Sequence, residues 1–146
     1  MPDLRMDHVS VVVEDLEEAK AFFGELGMEL EAQMPVEGYW VDRVNGIDGV
    51  RVEIAMMKTS DGSGKLELTK FRTPEVLGHG SAAAPPNTLG LRSVMFEVDD
   101  IDDAVSRLIA RGGELIGEVA QYENMYRLCY MRGPAGIIVA LAEDIS

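Results

Sequence analysis

The sequence is poor in cysteine and has no long apolar segment. Cys129 is the one cysteine among 146 residues, so no internal disulfide can form, and its place within the mostly apolar residues 126–131 predicts a buried thiol in a reducing compartment. The apolar run 137–142 is far too short to span a bilayer, and the first ten residues lack the apolar core of a signal peptide. We therefore expect a cytoplasmic protein that does not bind membranes.

Positive charge is also scarce. The chain has 13 Lys and Arg against 26 Asp and Glu, which gives a formal net charge of −13 and an isoelectric point of about 4.4. A surface with this charge repels the nucleic-acid backbone and anionic lipids, so both classes of partner are excluded. No phosphate-binding loop, Cys-x-x-Cys pair or nucleophile elbow is present either.

The sequence does contain an internal repeat. Residues 8–19 (HVSVVVEDLEEA) and 93–104 (SVMFEVDDIDDA) share one pattern of apolar and acidic residues, 85 positions apart. The same offset relates residues 27–30 (GMEL) to 112–115 (GGEL), so a strand, an acidic turn, a helix and a glycine recur in order. The sequence thus predicts two copies of one module within a single domain.

Each copy contains one predicted helix. Apolar residues recur at intervals of three and four over 16–26, and again from 101 to 109. Carboxylates at 14–15 and 99–100 favour a helix N-terminus directly after the preceding strand. Glycines at the far ends, Gly27 and Gly112, are typical of helix termination.

Strands make up the rest of each copy, which predicts the order βαβββ and the α+β class. Glycine-rich turns at 60–64 and 133–136 indicate hairpins. Three strands of each copy have predicted bounds. They are 6–13, 50–58 and 65–71 in the first copy, and 91–98, 125–132 and 137–141 in the second. We define module one as about residues 1–73, a connector rich in proline and small residues as 74–90, and module two as about 91–146.

This arrangement resembles the vicinal oxygen chelate superfamily, which contains glyoxalase, bleomycin-resistance proteins and extradiol dioxygenases. The resemblance is carried by the start at 7–9 (DHV), the strand 65–68 (KLEL), the second start 96–101 (FEVDDI) and the ending 133–139 (GPAGIIV). It covers almost the whole chain. It implies two modules that form a half-open, U-shaped mixed sheet around a cavity, and it implies a homodimer.

The resemblance also implies a metal site with one ligand from the first and one from the last strand of each module. His8 and Glu67 match these positions in module one, whereas Ser93 and Ala140 stand at the corresponding positions of module two. Imidazole and carboxylate suit Zn, Ni, Mn or Fe(II). Half of the site is therefore present, and the alternatives are no metal or a third ligand from Glu53, Glu97 or a partner chain. Without a metal, Glu67 is a candidate catalytic acid or base, or a paired charge.

Strand alternation extends the candidate site beyond these residues. Pairing 50–58 with 65–71 predicts Arg51 and Glu53 on the same face as Glu67, although a one-residue slip would invert the set. In module two, alternation places further side chains on one face with Ala140. The candidate ligand-binding residues there are Ser93, Met95, Glu97 and Tyr130.

Two further residues, a tryptophan and a histidine, are considered as site residues because of their residue type. Trp40 lies in the segment 38–49 and is interpreted either as a lid that stacks on a ligand or as a core residue at the sheet edge. His79 lies in the connector, where we expect it to be exposed and not a ligand.

Three functions remain open at this stage. The first, which the resemblance implies, is a protein of the bleomycin-resistance type that binds a small organic molecule in an apolar and aromatic sheet cavity without a metal. The second is a metal-dependent lyase, isomerase or dioxygenase that uses His8, Glu67 and an atypical third ligand. The third is a metal-free enzyme with Glu67 or Glu97 as the acid or base beside Arg51.

Overall fold

The computed structural model describes residues 2–78 and 84–146. Part of the connector, including His79, lies outside the described residues. The chain divides into two compact units, residues 1–77 and 78–146, which contain module one and module two respectively. That the two modules form a single domain stays a prediction.

The first unit contains a four-stranded mixed sheet, a long helix and a short one. In chain order these are β1 (Val9–Val12), α1 (Leu16–Leu26), β2 (Glu29–Glu37), α2 (Tyr39–Asn45), β3 (Arg51–Lys58) and β4 (Lys65–Thr73). The spatial order is β1-β4-β3-β2, with β1 parallel to β4 and the other pairs antiparallel. The first strand therefore lies beside the last one, so residues from both ends of the module meet.

The second unit repeats this arrangement. Its elements are β5 (Ser93–Glu97), α3 (Ile101–Ala110), β6 (Glu114–Tyr122), β7 (Tyr126–Arg132) and β8 (Ile138–Asp144), with a 3₁₀ turn at Pro134–Gly136. The strand order is β5-β8-β7-β6, and β5 runs parallel to β8. The α+β class and the predicted tandem βαβββ modules are confirmed. The two copies diverge after their second strand, because residues 38–50 join β2 to β3 and include α2, whereas β6 and β7 are joined by 123–125.

The helix starts are equivalent in the two copies. The carboxylate of Asp15 accepts a hydrogen bond of 3.0 Å from the backbone N–H of Glu18, and Asp100 accepts one of 3.0 Å from the N–H of Asp103. Each carboxylate satisfies an N–H group that the first turn of a helix leaves without a partner. Gly27 ends α1 with a φ of 121°, a conformation that glycine adopts without strain.

One side of each sheet packs against its long helix. In module one, Phe22 and Phe23 of α1 are at most 2% exposed, and the strand residues Leu66 and Leu68 are equally buried. Burial of each such side chain stabilises the fold by about 1.5–3 kcal/mol. Module two buries Ile101 and Leu108 of α3 together with the following strand residues: Cys129, Met131, Val139 and Leu141. The predicted burial of Cys129 is confirmed, and burial raises the pKa of its thiol.

Among the described residues, no helix has the length and apolar character needed to cross a membrane.

Candidate functional site

The candidate site begins on the side of the first sheet that lies opposite α1, which we call the Glu67 face. Strand pairing places Ser10 beside Glu67 and Val12 beside Thr69 on β1 and β4. On β3, the same face carries Met56 and Ile54, which lie opposite Glu67 and Thr69. At one end of this face, the α2 residue Val41 packs into an apolar cluster with the following residues: Val36, Val50, Val52, Ile54 and Phe71.

A fixed carboxylate lies at the centre of this face. The Oε1 atom of Glu67 accepts hydrogen bonds of 2.9 Å from the hydroxyl groups of both Ser10 and Thr69. The two hydroxyl oxygens lie 3.4 Å apart, and Thr69 is 5% exposed. Two donors on one oxygen hold the carboxylate in a single orientation.

His8 faces the other oxygen of the same carboxylate. Its Nε2 atom lies 3.5 Å from Glu67 Oε2, and its Nδ1 atom lies 2.6 Å from Asp7 Oδ2. A carboxylate has only lone pairs, so Nδ1–H of His8 is the donor in this hydrogen bond, which is the main cause that lowers the pKa of Asp7. The side chains of His8 and Glu67 are 30% and 22% exposed, so both are partly open to solvent.

The pair has the spacing, but not the number, of metal ligands. Two ligands that each lie about 2.1 Å from one ion at a tetrahedral angle are roughly 3.4 Å apart, close to the 3.5 Å between His8 Nε2 and Glu67 Oε2. Within residues 2–78 and 84–146, however, no group of three His, Cys, Asp or Glu side chains could hold an ion. Catalytic sites use three protein ligands. The described residues therefore do not by themselves fit a resident metal.

The structure corrects the predicted position of Arg51 and Glu53. Because Met56, not Met57, lies opposite Glu67, alternation puts Arg51 and Glu53 on the side opposite the Glu67 face. The prediction misplaced the register by one residue across the turn at 59–64, and a slip of one moves every side chain to the other side of the sheet.

Ion pairs occupy both residues on that side. The Nε atom of Arg51 lies 2.9 Å from Glu37 Oε2, and Glu53 Oε1 lies 3.7 Å from an amino group of Arg72. Glu53 therefore does not supply the third metal donor that the sequence suggested, and Arg51 does not lie beside Glu67.

In module two, the predicted residues do share one side of the sheet, opposite α3, which we call the Tyr130 face. Ala140 lies between Met95 on β5 and Tyr130 on β7. Alternation adds Ser93 and Glu97 to the same face. Met95 is 57% and Tyr130 39% exposed, whereas Ala140 is 1% exposed. Their position agrees with the sequence analysis, and their role in ligand binding stays a prediction.

The two faces correspond position by position. Ser10 pairs with Glu67 in module one as Met95 pairs with Ala140 in module two, and Ser10 and Met95 are related by the repeat. Ser93 takes the place of His8. The hydrogen-bonded residues Ser10, Glu67 and Thr69 are thus replaced by Met95, Ala140 and Ala142, whereas Glu97 takes the place of the apolar Val12.

Trp40 lies on α2 and is 62% exposed, so its interpretation as a core residue is wrong. Its neighbour Tyr39 is 77% exposed and has the guanidinium of Arg43 5.4 Å from the centre of its ring. These contacts do not test whether Trp40 acts as a lid, so that role stays a prediction.

The sequence analysis missed Asp7 as a contributor to the site. Strand alternation in the sequence puts Ser10 on the face of His8 and Thr69 on that of Glu67, as observed, but it assigns no role to either hydroxyl group. The contact of Asp7 with His8 depends on the rotamers of two residues that precede β1, and strand alternation does not predict rotamers.

Two tandem βαβββ modules, each with its first strand parallel to its last, define a glyoxalase-like fold. A family model of the Glyoxalase/Bleomycin resistance protein/Dioxygenase superfamily matches residues 5–141, so the chain belongs to this superfamily. A glyoxalase family protein from Bacillus cereus is 52% identical, with 100% of this chain and 97% of that chain covered and a TM-score of 0.94.

More distant solved structures share the fold. The antibiotic binding protein TnmS3 from a Streptomyces species is 21% identical, with 97% of this chain and 99% of that chain covered and a TM-score of 0.59. A glyoxalase I mutant from Zea mays is 19% identical, with 93% of this chain and 44% of that chain covered and a TM-score of 0.64. A comparison with curated proteins found no match.

Proposed function

We propose that this protein binds a small organic molecule on the sheet faces opposite α1 and α3. The observation that carries the proposal is the exposure of large apolar side chains there. Val12 and Met34 are each 43% exposed on the Glu67 face, and Met95 is 57% exposed on the Tyr130 face. Sites for small molecules combine such apolar surface with a few fixed polar groups, and the Ser10–Glu67–Thr69 cluster is a group of this kind. A relative whose name describes antibiotic binding shares the fold.

Each face offers its own contacts to a ligand. On the Tyr130 face, Tyr130 offers a ring for stacking, and Met95 offers an adaptable apolar contact. Ser93 and Glu97 supply polar atoms on the same face. In module one, Trp40, exposed on α2, is proposed to stack as a lid on a ligand of the Glu67 face.

Binding of the neutral dye Nile red tests this proposal. We expect Tyr130→Ala to weaken binding about tenfold, equivalent to about 1.4 kcal/mol, because stacking and apolar contact are lost. Ile109→Ala is the matched control, since Ile109 is 51% exposed on α3, on the other side of the same sheet. Equal affinities of the wild type and both variants, with melting temperatures unchanged, would contradict the proposal.

A metal-dependent lyase, isomerase or dioxygenase is the second candidate, and the spacing of 3.5 Å between His8 and Glu67 favours it. It needs a third donor from outside the described residues or from a partner chain. Metal content after purification without chelators, measured by inductively coupled plasma mass spectrometry, tests it. One ion per chain that is lost in His8→Ala and in Glu67→Ala supports this candidate. No bound ion after incubation with Zn, Ni, Mn or anaerobic Fe(II) overturns it.

Catalysis without a metal would depend on Glu67, because its Oε2 atom faces His8 and its side chain is 22% exposed. Glu67 would then act as the acid or base. Glu97 stays the other candidate, on the Tyr130 face. Arg51 has no part in this proposal, since it lies on the opposite side of the first sheet.

We also propose a cytoplasmic homodimer. Exposed apolar side chains outside the two proposed ligand faces, such as Val44 on α2, are surfaces that a second chain can cover. Light scattering tests the oligomeric state, and a monomer of 16.0 kDa would contradict it.

A further inference from the structure

Two tyrosines lie opposite each other on the Tyr130 face, next to the turn that joins β6 to β7. Tyr122 on β6 pairs with Tyr126 on β7, and strand alternation puts Tyr126 on the same side as Tyr130. Residues directly opposite each other in an antiparallel pair have Cβ atoms about 4.5–5.5 Å apart. Tyr122 is 55% exposed, and Tyr126 is partly exposed. One ligand can therefore contact both side chains.

Two carboxylates share this end of the face with the tyrosine pair. Asp144 on β8 lies opposite Tyr126, and Glu97 on β5 lies opposite Ala142, two residues before Asp144. Both acidic residues are exposed. The Oδ1 atom of Asp144 accepts hydrogen bonds from the hydroxyl group of Ser146, at 2.6 Å, and from its backbone N–H, at 2.9 Å. These hydrogen bonds lower the pKa of Asp144, so the carboxylate is ionised at neutral pH.

Positive charge is scarce on the same face. Residues 91–146 contain neither lysine nor histidine. Alternation puts Arg132 on this face, but it lies six residues along β7 from Tyr126, at a distance of about 20 Å. Arg127 points to the other side of the sheet, where its guanidinium donates to both carboxylate oxygens of Asp102. Within the described part of module two, no basic side chain on this face therefore lies next to the two carboxylates.

Tyrosine rings beside carboxylates favour one class of ligand. The face of an aromatic ring attracts a cation, and groups of such rings bind quaternary ammonium ions. A quaternary ammonium ion carries no N–H group, so ring faces and negative charge hold it in place of hydrogen bonds. Module one shows the same kind of contact within the chain, because the guanidinium of Arg43 lies 5.4 Å from the centre of the Tyr39 ring.

We propose that the ligand of the Tyr130 face is an organic cation whose quaternary ammonium group contacts the rings of Tyr122 and Tyr126. Glu97 and Asp144 supply the opposite charge. The apolar part of the same ligand lies on Tyr130. This inference rests on the proposed binding function and specifies the ligand class of that face.

The test compares two probes of the same shape, (3-hydroxyphenyl)trimethylammonium and 3-tert-butylphenol, which differ by a cationic nitrogen in place of a carbon. Affinities are measured by NMR titration of the ¹⁵N-labelled protein. Burial of apolar surface alone would make the neutral probe bind more tightly. We expect the opposite order, with the cation bound about fivefold more tightly and the largest amide shifts at Tyr122 and Tyr126.

Replacement of a ring by an aliphatic side chain separates attraction to the cation from apolar contact. Tyr126→Leu should weaken binding of the cation about fivefold and binding of the neutral probe less than about twofold. Tyr122→Leu, at a more exposed position, should act in the same direction. Tyr39→Leu is the control, since this exposed ring lies on α2 in module one, and it should change neither affinity. Equal losses for both probes in the Tyr126 and Tyr122 variants would contradict the proposal.

A second pair of variants tests the role of charge. Asp144→Asn keeps the acceptor oxygen for Ser146 but removes the charge, so it should weaken binding of the cation about threefold. Asp61→Asn is its matched control in module one, because Asp61 Oδ1 accepts from the backbone N–H and hydroxyl group of Ser63 at 2.9 and 2.8 Å. It should leave both affinities unchanged. If it weakens cation binding as much as Asp144→Asn, the preference comes from the net charge of the protein and the proposal is wrong.

The outcomes separate this inference from the proposed function. Equal or tighter binding of the neutral probe to the wild type overturns the inference, while ligand binding itself stands. Binding of Nile red without binding of either probe also overturns the inference alone. The absence of binding by all three compounds overturns the proposed function.

Discussion

Module one and module two have the same strand order but differ where the first strand meets the last. At these matched positions, module one has polar side chains, whereas module two has one polar and three apolar side chains. The residues are His8, Ser10, Glu67 and Thr69 in module one, and Ser93, Met95, Ala140 and Ala142 in module two. The parallel pairing is the same in both, so it does not depend on these side chains.

The opposite sides of the two sheets show no such divergence. Phe22 and Phe23 of α1 and Ile101 and Leu108 of α3 are all buried against apolar strand residues. Side chains on this side must fill the space between helix and sheet, and each change of volume is costly. The face away from the helix is under no such constraint, so one module can hold a polar cluster and the other an apolar surface.

The largest effect is expected when the polar residue of module one is built into module two. Ala140→Glu places a carboxylate at a position that is 1% exposed and flanked by Met95, so we expect the free energy of unfolding to fall by about 3 kcal/mol. Urea denaturation measures this loss. Adding Met95→Ser supplies the hydroxyl that Ser10 supplies to Glu67, and it should restore about 1 kcal/mol.

Two outcomes would break the comparison between the modules. An unchanged urea midpoint for Ala140→Glu would show that module two tolerates the polar residue as it stands. The lack of any restoration by Met95→Ser would show that the hydroxyl group does not hold the carboxylate.

A smaller effect is expected at the helix starts, where the modules are alike. Asp15→Ala and Asp100→Ala each remove one capping hydrogen bond, and each should lower the free energy of unfolding by about 1 kcal/mol. Urea denaturation of both variants checks this. Costs that differ by more than about 1 kcal/mol would show that the shared scaffold is not energetically equivalent in the two copies.

The smallest effect concerns the stability of the hairpin turns at low pH. Hydrogen bonds from Ser63 and Thr59 lower the pKa of Asp61 in the turn between β3 and β4 from about 3.8 to about 2. Because the folded state favours the ionised form, its contribution to stability is complete above pH 3.8 and is lost as the pH falls through about 2. The turn Pro134–Gly136 of module two contains no carboxylate.

NMR spectra recorded as the pH is lowered detect this difference. The amide signal of Ser63 should titrate with a midpoint near 2, and Asp61→Ala should abolish that titration. Amides of the turn in module two serve as the internal control. A midpoint near 4 for Ser63 would show that the turn does not hold the carboxylate.

The two long helices and their N-terminal caps were predictable from the sequence because each has a local signal, whereas β2 and β6 were given no bounds. The bounds of α1 were predicted as observed, since apolar spacing, Asp15 and Gly27 all act within the helix itself. The register of β3 against β4 was not predicted as observed, because the turn at 59–64 contains two glycines and two serines that permit several loop lengths. Arg51 and Glu53 were misplaced for this reason.

The candidate site was predictable only in part. The approach of His8 to Glu67 followed from the resemblance, which pairs the first strand with the last. The contact between Asp7 and His8, and the two hydroxyl groups on one oxygen of Glu67, depend on rotamers, and rotamers are set by neighbours that a sequence pattern does not specify. The loss of the imidazole and the carboxylate in module two was visible in the sequence as Ser93 and Ala140.

Because β1 pairs with β4, formation of the candidate site depends on the order in which parts of the chain fold. Ser10 and Glu67 are 57 residues apart, so their hydrogen bond forms only after the intervening chain has closed into a loop, at a cost in entropy. β1 has four residues and lies at the edge of its sheet, where β4 is its neighbour. Short edge strands open first in amide hydrogen exchange. A molecule held by both His8 and Glu67 fastens this strand to its neighbour, so the slowing of exchange in β1 measures occupancy of the site.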